Sequence, residues 1–303
     1  MVRTRVKSFR FTLVFFALFA ISVLCSSSVS ECGRQRPVTR GTAVVVYIVE
    51  SRSKDVEALL NLFYTLLRVG TKFDSFILLH DSTILPPALK FLQRRKIECV
   101  QLQPVSIPQS LRDRLQQHSR TREVRDKSIW FQKLAIFSAP RLQAFHRVMY
   151  LDLDVLPLRN MTHVFSTVLT QAKPLAAVPE KPGLEPEFQA GLMVFEPKLI
   201  QFLDVIAHLT DENHTCGYRA DDQSYLCHYF YKRWYALPYK LNVLQKACTN
   251  PVYGTVEDWH AIHFNGRKPW DERFAEKNSE VFAFWAQARR LCVECDEFRK
   301  VRQ

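Results

Sequence analysis

The segment that decides the fold is Val-Met-Tyr-Leu-Asp-Leu-Asp-Val-Leu-Pro, residues 148–157, in which an apolar strand runs into two carboxylates. Alternate residues of a strand point to the same side, so Asp152 and Asp154 can face one hard divalent cation at the strand end. Apolar residues flank both acids, and buried unpaired carboxylates are costly. A polar edge strand therefore explains the segment poorly, and the pattern predicts a bound metal or a basic partner.

Strand and helix patterns alternate along the chain before this segment. Residues 43–49 are the unbroken run AVVVYIV, typical of a strand buried on both faces of a parallel sheet. We predict further strands at 76–79, 99–102 and 147–151, and helices at 55–68, 86–95 and 129–145, the last interrupted near Pro140. This alternation predicts a doubly wound α/β sheet. The charged stretch 106–127 lacks an apolar stripe and is expected to be a mobile surface insertion.

The composition is that of an ordinary globular protein. Of 303 residues, 47% are apolar and 24% are charged, which excludes disordered, collagen-like and low-complexity classes. This length suits one large α/β domain or two small ones. The net charge is +12, and the four basic residues at positions 3–10 leave 12 − 4 = +8 for the rest of the chain. A mildly basic domain suits an anionic ligand such as a sugar nucleotide, or an anionic membrane surface. No basic run interleaves with aromatic residues, so we expect no nucleic-acid partner.

The N-terminus has the pattern of a secretory leader. Basic residues within positions 3–10 precede an uncharged apolar run at residues 11–25. The run is about 15 residues long, whereas a membrane-spanning helix needs roughly 20. Residues 1–30 are therefore a cleaved signal peptide or a short signal anchor, and the positive-inside rule places the rest in the lumen. We expect a type II protein of the Golgi lumen that meets the membrane only through this anchor, or a secreted protein if the leader is cleaved.

Cysteine usage agrees with an oxidising compartment. Most of the eight cysteines follow the leader, and disulfides are the default state there. We expect at least one disulfide among the cysteines of the C-terminal third, which are Cys216, Cys227, Cys248, Cys292 and Cys295. The CxxC pair at the C-terminal tail is interpreted as structural and paired with an upstream cysteine. The sequons at Asn160 and Asn213 permit N-glycans.

Four further segments carry chemical groups. They are residues 188–197 (FQAGLMVFEP), 221–223 (DDQ), 237–242 (LPYKLN) and 262–270 (IHFNGRKPW). The carboxylates of the second segment suit the N-terminal end of a helix. In the last segment, His263 offers an imidazole for a borderline cation, Gly266 allows close backbone approach, and Lys268 suits a phosphate.

In this order and spacing the segments resemble glycosyltransferase family 8, the glycogenin-like branch, from about residue 43 to residue 270. The short spacing between His263 and Lys268 is similar to that of the plant glucuronyltransferase-like members. The resemblance implies a GT-A type fold, with a Rossmann-like, mainly parallel sheet flanked by helices. It also implies one catalytic domain at residues 43–303, after a stem or linker at 31–42. The implied reaction is retaining, metal-dependent transfer of a hexose-type sugar from a UDP-sugar to a glycan or glycoprotein.

The resemblance also implies roles for individual residues. The implied Mn²⁺ ligands are Asp152, Asp154 and His263. The implied donor-binding residues are Gly266, Lys268, Gly191, Gln189 and Asp152, and those at the transferring sugar are Asp222, Gln223 and Lys133. Two departures are visible: Gln189-Ala190-Gly191 stands where the family has Asn-Ser-Gly, and Leu241-Asn242 replaces Tyr-Asn.

The sequence is compatible with two functions. One is an active lumenal glycosyltransferase, and the other is a non-catalytic sugar-nucleotide or glycan-binding protein of the same fold, since fold alone does not separate them. The intact metal trio favours the enzyme. A third class, a nucleotidyltransferase that uses the same carboxylate pair, is disfavoured because it does not require the segment from His263 to Lys268. Unlike glycogenin, the chain is not expected to glucosylate itself, because its leader sends it to the lumen. In the interval where glycogenin carries its acceptor tyrosine, this chain has only Tyr253, in a predicted turn.

Overall fold

A computed structural model describes residues 41–48, 53–81, 84, 86–117, 127–181, 187–210, 221–266, 268–271 and 280–302. These residues belong to one compact unit. The secretory leader and nearly all of the stem that the sequence predicts lie outside the described residues. No helix within the described ranges is both long and apolar enough to cross a bilayer.

The described residues form ten strands and seven α-helices. The strands are β1 (Thr42–Ile48), β2 (Ser75–His80), β3 (Ile97–Gln101), β4 (Arg147–Leu151), β5 (Val155–Pro157), β6 (Leu175–Pro179), β7 (Phe188–Phe195), β8 (Trp234–Ala236), β9 (Val243–Leu244) and β10 (Ala261–His263). The helices are α1 (Ser53–Arg68), α2 (Pro86–Arg94), α3 (Gln109–Gln117), α4 (Phe202–Thr210), α5 (Asp222–Tyr229), α6 (Glu280–Arg290) and α7 (Val293–Arg302).

Seven strands form the central sheet, in the order β3-β2-β1-β4-β7-β6-β8. Strand β7 is antiparallel to both of its neighbours, and the other pairings are parallel. The prediction of a mainly parallel α/β sheet is therefore confirmed. Thr42, expected to end the stem, is instead the first residue of β1, because it pairs with Arg147 of β4.

Helices cover both faces of this sheet. Alternate residues of β1 point to opposite faces, so Val45 belongs to one buried cluster and Val44 to the other. Residues of α1 pack in the cluster of Val44, and residues of α5 pack in the cluster of Val45. The unbroken apolar run of β1 follows from this burial on two sides.

Two expectations for the region between β3 and β4 are wrong in detail. The stretch 106–127 was expected to be a mobile insertion, but its first half contains α3, anchored by the buried Leu111. Residues 118–126 of this stretch lie outside the described residues. The chain just before α3 is held by Gln132, which accepts from the N–H of Val105 and donates to its carbonyl. The expected helix at 129–145 is a 3₁₀ helix, Lys127–Phe137, followed after the predicted break by a second one at Pro140–Ala144.

The C-terminal CxxC pair also differs from expectation. Cys292 and Cys295 are joined to each other, with Cα atoms 5.3 Å apart at the junction between α6 and α7, and not to an upstream cysteine. Both are buried in the cluster that contains α1, because the two terminal helices fold back onto that helix. The expectation of at least one disulfide in the C-terminal third agrees with this bond.

A second, three-stranded sheet has the order β5-β10-β9. Strand β10 is antiparallel to β5 and parallel to β9. Because only three residues separate the end of β4 from the start of β5, the two sheets meet at the turn that carries Asp152 and Asp154. This junction places His263, at the end of β10, beside both carboxylates.

Candidate functional site

The two predicted carboxylates lie in a turn and not within a strand. Strand β4 ends at Leu151, and the N–H of Val155 donates to the carbonyl of Asp152 at 3.1 Å. The N–H of Phe264 donates to the carbonyl of Asp154 at 2.9 Å, which ties the turn to the small sheet. The alternation of a strand therefore does not explain their shared orientation; the turn and its neighbours do.

The turn and β10 bring together the predicted metal trio. Nε2 of His263 lies 3.4 Å from Oδ1 of Asp154 and 3.8 Å from Oδ2 of Asp152. One ligand atom from each residue lies within 4.8 Å of the other two. Asp154 and His263 are buried, whereas Asp152 is half-buried. Two carboxylates and one imidazole converging at this distance form a candidate site for a divalent cation.

Gly191 makes room for the imidazole. A Cβ atom at this position would lie 2.2 Å from Cε1 of His263 and 2.9 Å from its Nε2. The same glycine is tied to the turn, because its carbonyl accepts from the N–H of Asp152 at 2.9 Å. The glycine of β7 is therefore explained by the packing of His263, whereas the sequence assigned it to the donor.

Lys133 joins the metal trio to the predicted sugar site. Its Nζ lies 3.1 Å from Oδ1 of Asp152 and 2.7 Å from Oδ2 of Asp222. Burial alone would lower the pKa of Lys133, but the two carboxylates outweigh it and hold the pKa above its usual value. Burial raises the pKa of Asp222 despite the opposing effect of Lys133. Tyr150 completes the cluster, since its hydroxyl donates to Oδ1 of Asp152 at 2.7 Å.

Lys268 approaches the trio from the other side. Its Nζ donates to Oδ2 of Asp154, and also to the carbonyl of Phe264 at 3.3 Å. Burial would raise the pKa of Asp154, but His263 and Lys268 outweigh burial and hold that pKa well below its usual range. Gly266 is exposed, and a Cβ there would meet no atom within 4 Å. The predicted phosphate-binding pair therefore lies at the open side of the site.

Gln223 is fixed by the protein at both ends of its amide. Its Oε1 accepts from the N–H of Ala190 at 3.0 Å, and its Nε2 donates to Oε2 of Glu180 at 3.3 Å. It lies in the first turn of α5, which Asp221 caps by accepting from the N–H of Ser224 at 2.7 Å. Sequence reasoning missed Glu180; the available signal was a carboxylate directly after the apolar strand β6.

Gln189 and Asn242 occupy the buried side of the trio. Gln189 is fully buried, with its Nε2 donating to the carbonyl of Pro179 at 3.2 Å. Its Oε1 accepts from Nδ2 of Asn242 at 2.6 Å, so protein partners occupy both ends of the amide. Gln189 was assigned to the donor from the sequence, but it has no exposed surface for a donor. The sequence segment that contains Asn242 was noticed, but its position beside His263 was not.

The comparisons with known proteins agree with this architecture. Residues 39–273 match Glycosyl transferase family 8. The UDP-glucuronate:xylan alpha-glucuronosyltransferase 2 of Arabidopsis thaliana is 23% identical over 250 residues, covering 79% of this chain but only 37% of the plant enzyme. An uncharacterised protein of Acanthamoeba polyphaga mimivirus is 23% identical over 231 residues, covering 71% of this chain and 78% of the viral protein.

Solved structures give the fold. The galactosyltransferase LgtC, in complex with donor and acceptor sugar analogs, aligns with a TM-score of 0.59 at 16% identity, over 82% of this chain and 95% of LgtC. The likeness to LgtC shows that the sheet has a GT-A-like architecture, and the turn after β4 adds a candidate divalent-cation site. The match over most of the chain makes the assignment specific: the protein belongs to glycosyltransferase family 8.

Proposed function

We propose that this enzyme transfers a hexose-type sugar from a UDP-sugar to a glycan or glycoprotein acceptor, with retention of anomeric configuration. The observation that carries the proposal is the convergence of five charged or ligating side chains on one site. They are Asp152, Asp154, His263, Lys268 and Lys133, with Asp222 paired to the last.

The first role concerns the leaving group. We propose Mn²⁺ as the cation of Asp152, Asp154 and His263; these oxygen and imidazole ligands suit it. A bound cation stabilises the charge that develops on UDP as the sugar–phosphate bond breaks. Lys268, which here contacts Asp154, would place its ammonium on the diphosphate. Its side chain is 43% exposed, and Gly266 beside it leaves open space for the donor.

The second role concerns the sugar. The family resemblance assigns Asp222 to the transferring sugar, and Lys133 holds its Oδ2 at 2.7 Å. Such a paired carboxylate is a poor free nucleophile, which favours attack by the acceptor on the face from which UDP departs. Asp222 then orients the sugar by hydrogen bonding. Gln223, fixed by Ala190 and Glu180, keeps one amide hydrogen for the same purpose.

The setting is part of the proposal. The basic and apolar residues of positions 3–25 support a secretory leader, and hence a place in the Golgi lumen or outside the cell. The Cys292–Cys295 disulfide is the state that such a compartment favours. The acceptor would then be a separate glycan or glycoprotein in the secretory pathway.

A donor panel tests the proposed reaction. The full-length chain is incubated with Mn²⁺ and each of several UDP-sugars, and UDP release and UDP binding are measured separately. We expect at least one UDP-sugar to give turnover, and Asp222→Asn to bind that donor while losing most of the turnover. A protein that binds UDP-sugars and never releases UDP, with or without glycan acceptors, would support the non-catalytic alternative.

A further inference from the structure

Asn242 contacts His263, the imidazole of the candidate metal site. It is fully buried, and its Nδ2 lies 3.2 Å from Nδ1 of His263. The same Nδ2 donates to Oε1 of Gln189 at 2.6 Å. His263 thus has the two carboxylates at Nε2 and an amide at Nδ1.

The direction of these hydrogen bonds follows from the backbone. The carbonyl of Pro179 can only accept, so the nitrogen of the Gln189 amide must face it. The oxygen of Gln189 therefore faces Asn242, which must present its own nitrogen in return. One hydrogen of that nitrogen goes to Gln189, and the other faces Nδ1 of His263.

This direction has a consequence for the imidazole. If Nδ1 accepts, a neutral ring carries its proton on Nε2, which faces Asp152 and Asp154. Nε2 is also the atom that a cation between the carboxylates would need, and it binds through its lone pair. The other tautomer carries its proton on Nδ1 and needs an oxygen acceptor there. Oδ1 of Asn242 could serve, because it is buried and accepts no hydrogen bond within the described part of the chain.

We propose that Asn242 is a positioning residue that selects the tautomer of His263, an inference that rests on the metal site of the proposed function. As it stands, its amide keeps the proton on Nε2. Turned over, it presents Oδ1 to Nδ1–H and frees the lone pair of Nε2, with no net gain or loss of protons. Metal-binding histidines donate their second ring N–H to an oxygen in this way. Gln189 opposes the turn, because its Oε1 would then face another oxygen.

Cation affinity of the donor-free protein tests the proposal. Mn²⁺ is titrated into the full-length chain, and free Mn²⁺ is measured by electron paramagnetic resonance. Asn242→Leu leaves a buried N–H without an acceptor, and we expect about 10- to 100-fold weaker binding. Asn242→Asp can only accept, so it should bind Mn²⁺ at least as tightly as the unaltered protein, although it unfolds at a lower temperature. Gln189→Met should bind more tightly.

Asn61→Leu is the matched control. Asn61 is also fully buried, and its amide has no hydrogen-bond partner among the described residues, so Mn²⁺ affinity should not change. If Asn242 has a purely structural role, Mn²⁺ affinity should follow the stability of each variant, and Asn242→Asp should bind Mn²⁺ more weakly than Asn242→Leu does. That order would overturn the proposal while leaving the metal site intact. An unaltered protein that binds no Mn²⁺ would instead overturn the metal site, and the proposal with it.

A spectroscopic measurement covers the case in which Asn242→Asp fails to fold. Ring ¹⁵N shifts of His263 are recorded on ¹⁵N-histidine-labelled protein with and without Mg²⁺, and are assigned by their loss in His263→Gln. The proposal expects the proton on Nε2 without the ion and on Nδ1 with saturating Mg²⁺. A proton that stays on the same nitrogen in both states would overturn it.

Discussion

Replacing Gly191 with alanine should disable the site without touching a charged group. The added Cβ would lie 2.2 Å from Cε1 of His263, about 1.3 Å short of the ~3.5 Å at which two carbons meet without strain. The φ angle of Gly191 is not among the positive values found in this structure, so the backbone itself accepts alanine. The strain therefore falls on the imidazole, which Asn242 and the two carboxylates surround.

The size of the effect follows from that displacement. Overpacking a filled interior costs about 1–3 kcal/mol of unfolding free energy. Moving a catalytic group by about 1 Å costs on the order of 10²-fold in rate. We therefore expect Gly191→Ala to fold with a lowered melting temperature, to bind Mn²⁺ more weakly, and to release UDP about 10²-fold more slowly.

Thermal unfolding, Mn²⁺ titration and UDP release are measured on the same preparation. Gly266→Ala is the matched control for folding and Mn²⁺ affinity, since its Cβ would enter open space. If Gly191→Ala retains both the Mn²⁺ affinity and the turnover of the unaltered protein, His263 does not occupy the position described, and the reasoning is refuted.

Three further predictions concern other parts of the chain. Lys268→Ala should raise the KM for the UDP-sugar more than it lowers the melting temperature, whereas Lys240→Ala, which breaks an exposed pair with Asp258, should leave the kinetics unchanged. Equal effects of the two variants would argue against a phosphate partner. Tyr253 was expected in a turn, but its side chain is only 3% exposed, so incubation with Mn²⁺ and UDP-glucose should add no hexose. Intact-mass spectrometry checks this, and a ladder of additions that disappears in Tyr253→Phe would contradict it. Burial raises the pKa of Cys227 to about 12, which keeps the thiol protonated and unreactive until the pH approaches that value. Iodoacetamide at pH 8 should therefore label Cys227 in urea but not in the folded protein, as peptide mapping would show; rapid labelling of the folded protein would show that the thiol is accessible.

The sheet could be predicted because its strands are buried on both faces. Such strands appear in the sequence as unbroken apolar runs, and β1 and β4 match the predicted runs within one residue at each end. Helix α3 could not be predicted, because Leu111 and Leu115 among seven polar residues make too short an apolar stripe. Its stability comes from contacts with residues distant in sequence, which local patterns do not contain.

The metal trio could be predicted because its residue types and order are distinctive. The buried residues that pack behind the trio could not be predicted. Gln189 and Asn242 stand 53 positions apart, and only the meeting of β7 with the small sheet joins them by a hydrogen bond. The resemblance assigned Gly191 to the donor, whereas in the structure the ring of His263 packs against it. Contacts between elements, and not local sequence, decide these roles.

The most direct test of the central claim is the metal dependence of sugar transfer. UDP release from the preferred UDP-sugar is measured with Mn²⁺, with excess EDTA, and with Asp154→Asn, in which a buried ligand loses its charge while its shape is kept. The account predicts that EDTA and Asp154→Asn each lower turnover by at least ~10²-fold, because the cation supplies several kcal/mol of charge stabilisation. It also predicts that added Mn²⁺ restores the EDTA-treated protein but not the variant. Full turnover in excess EDTA would contradict the account.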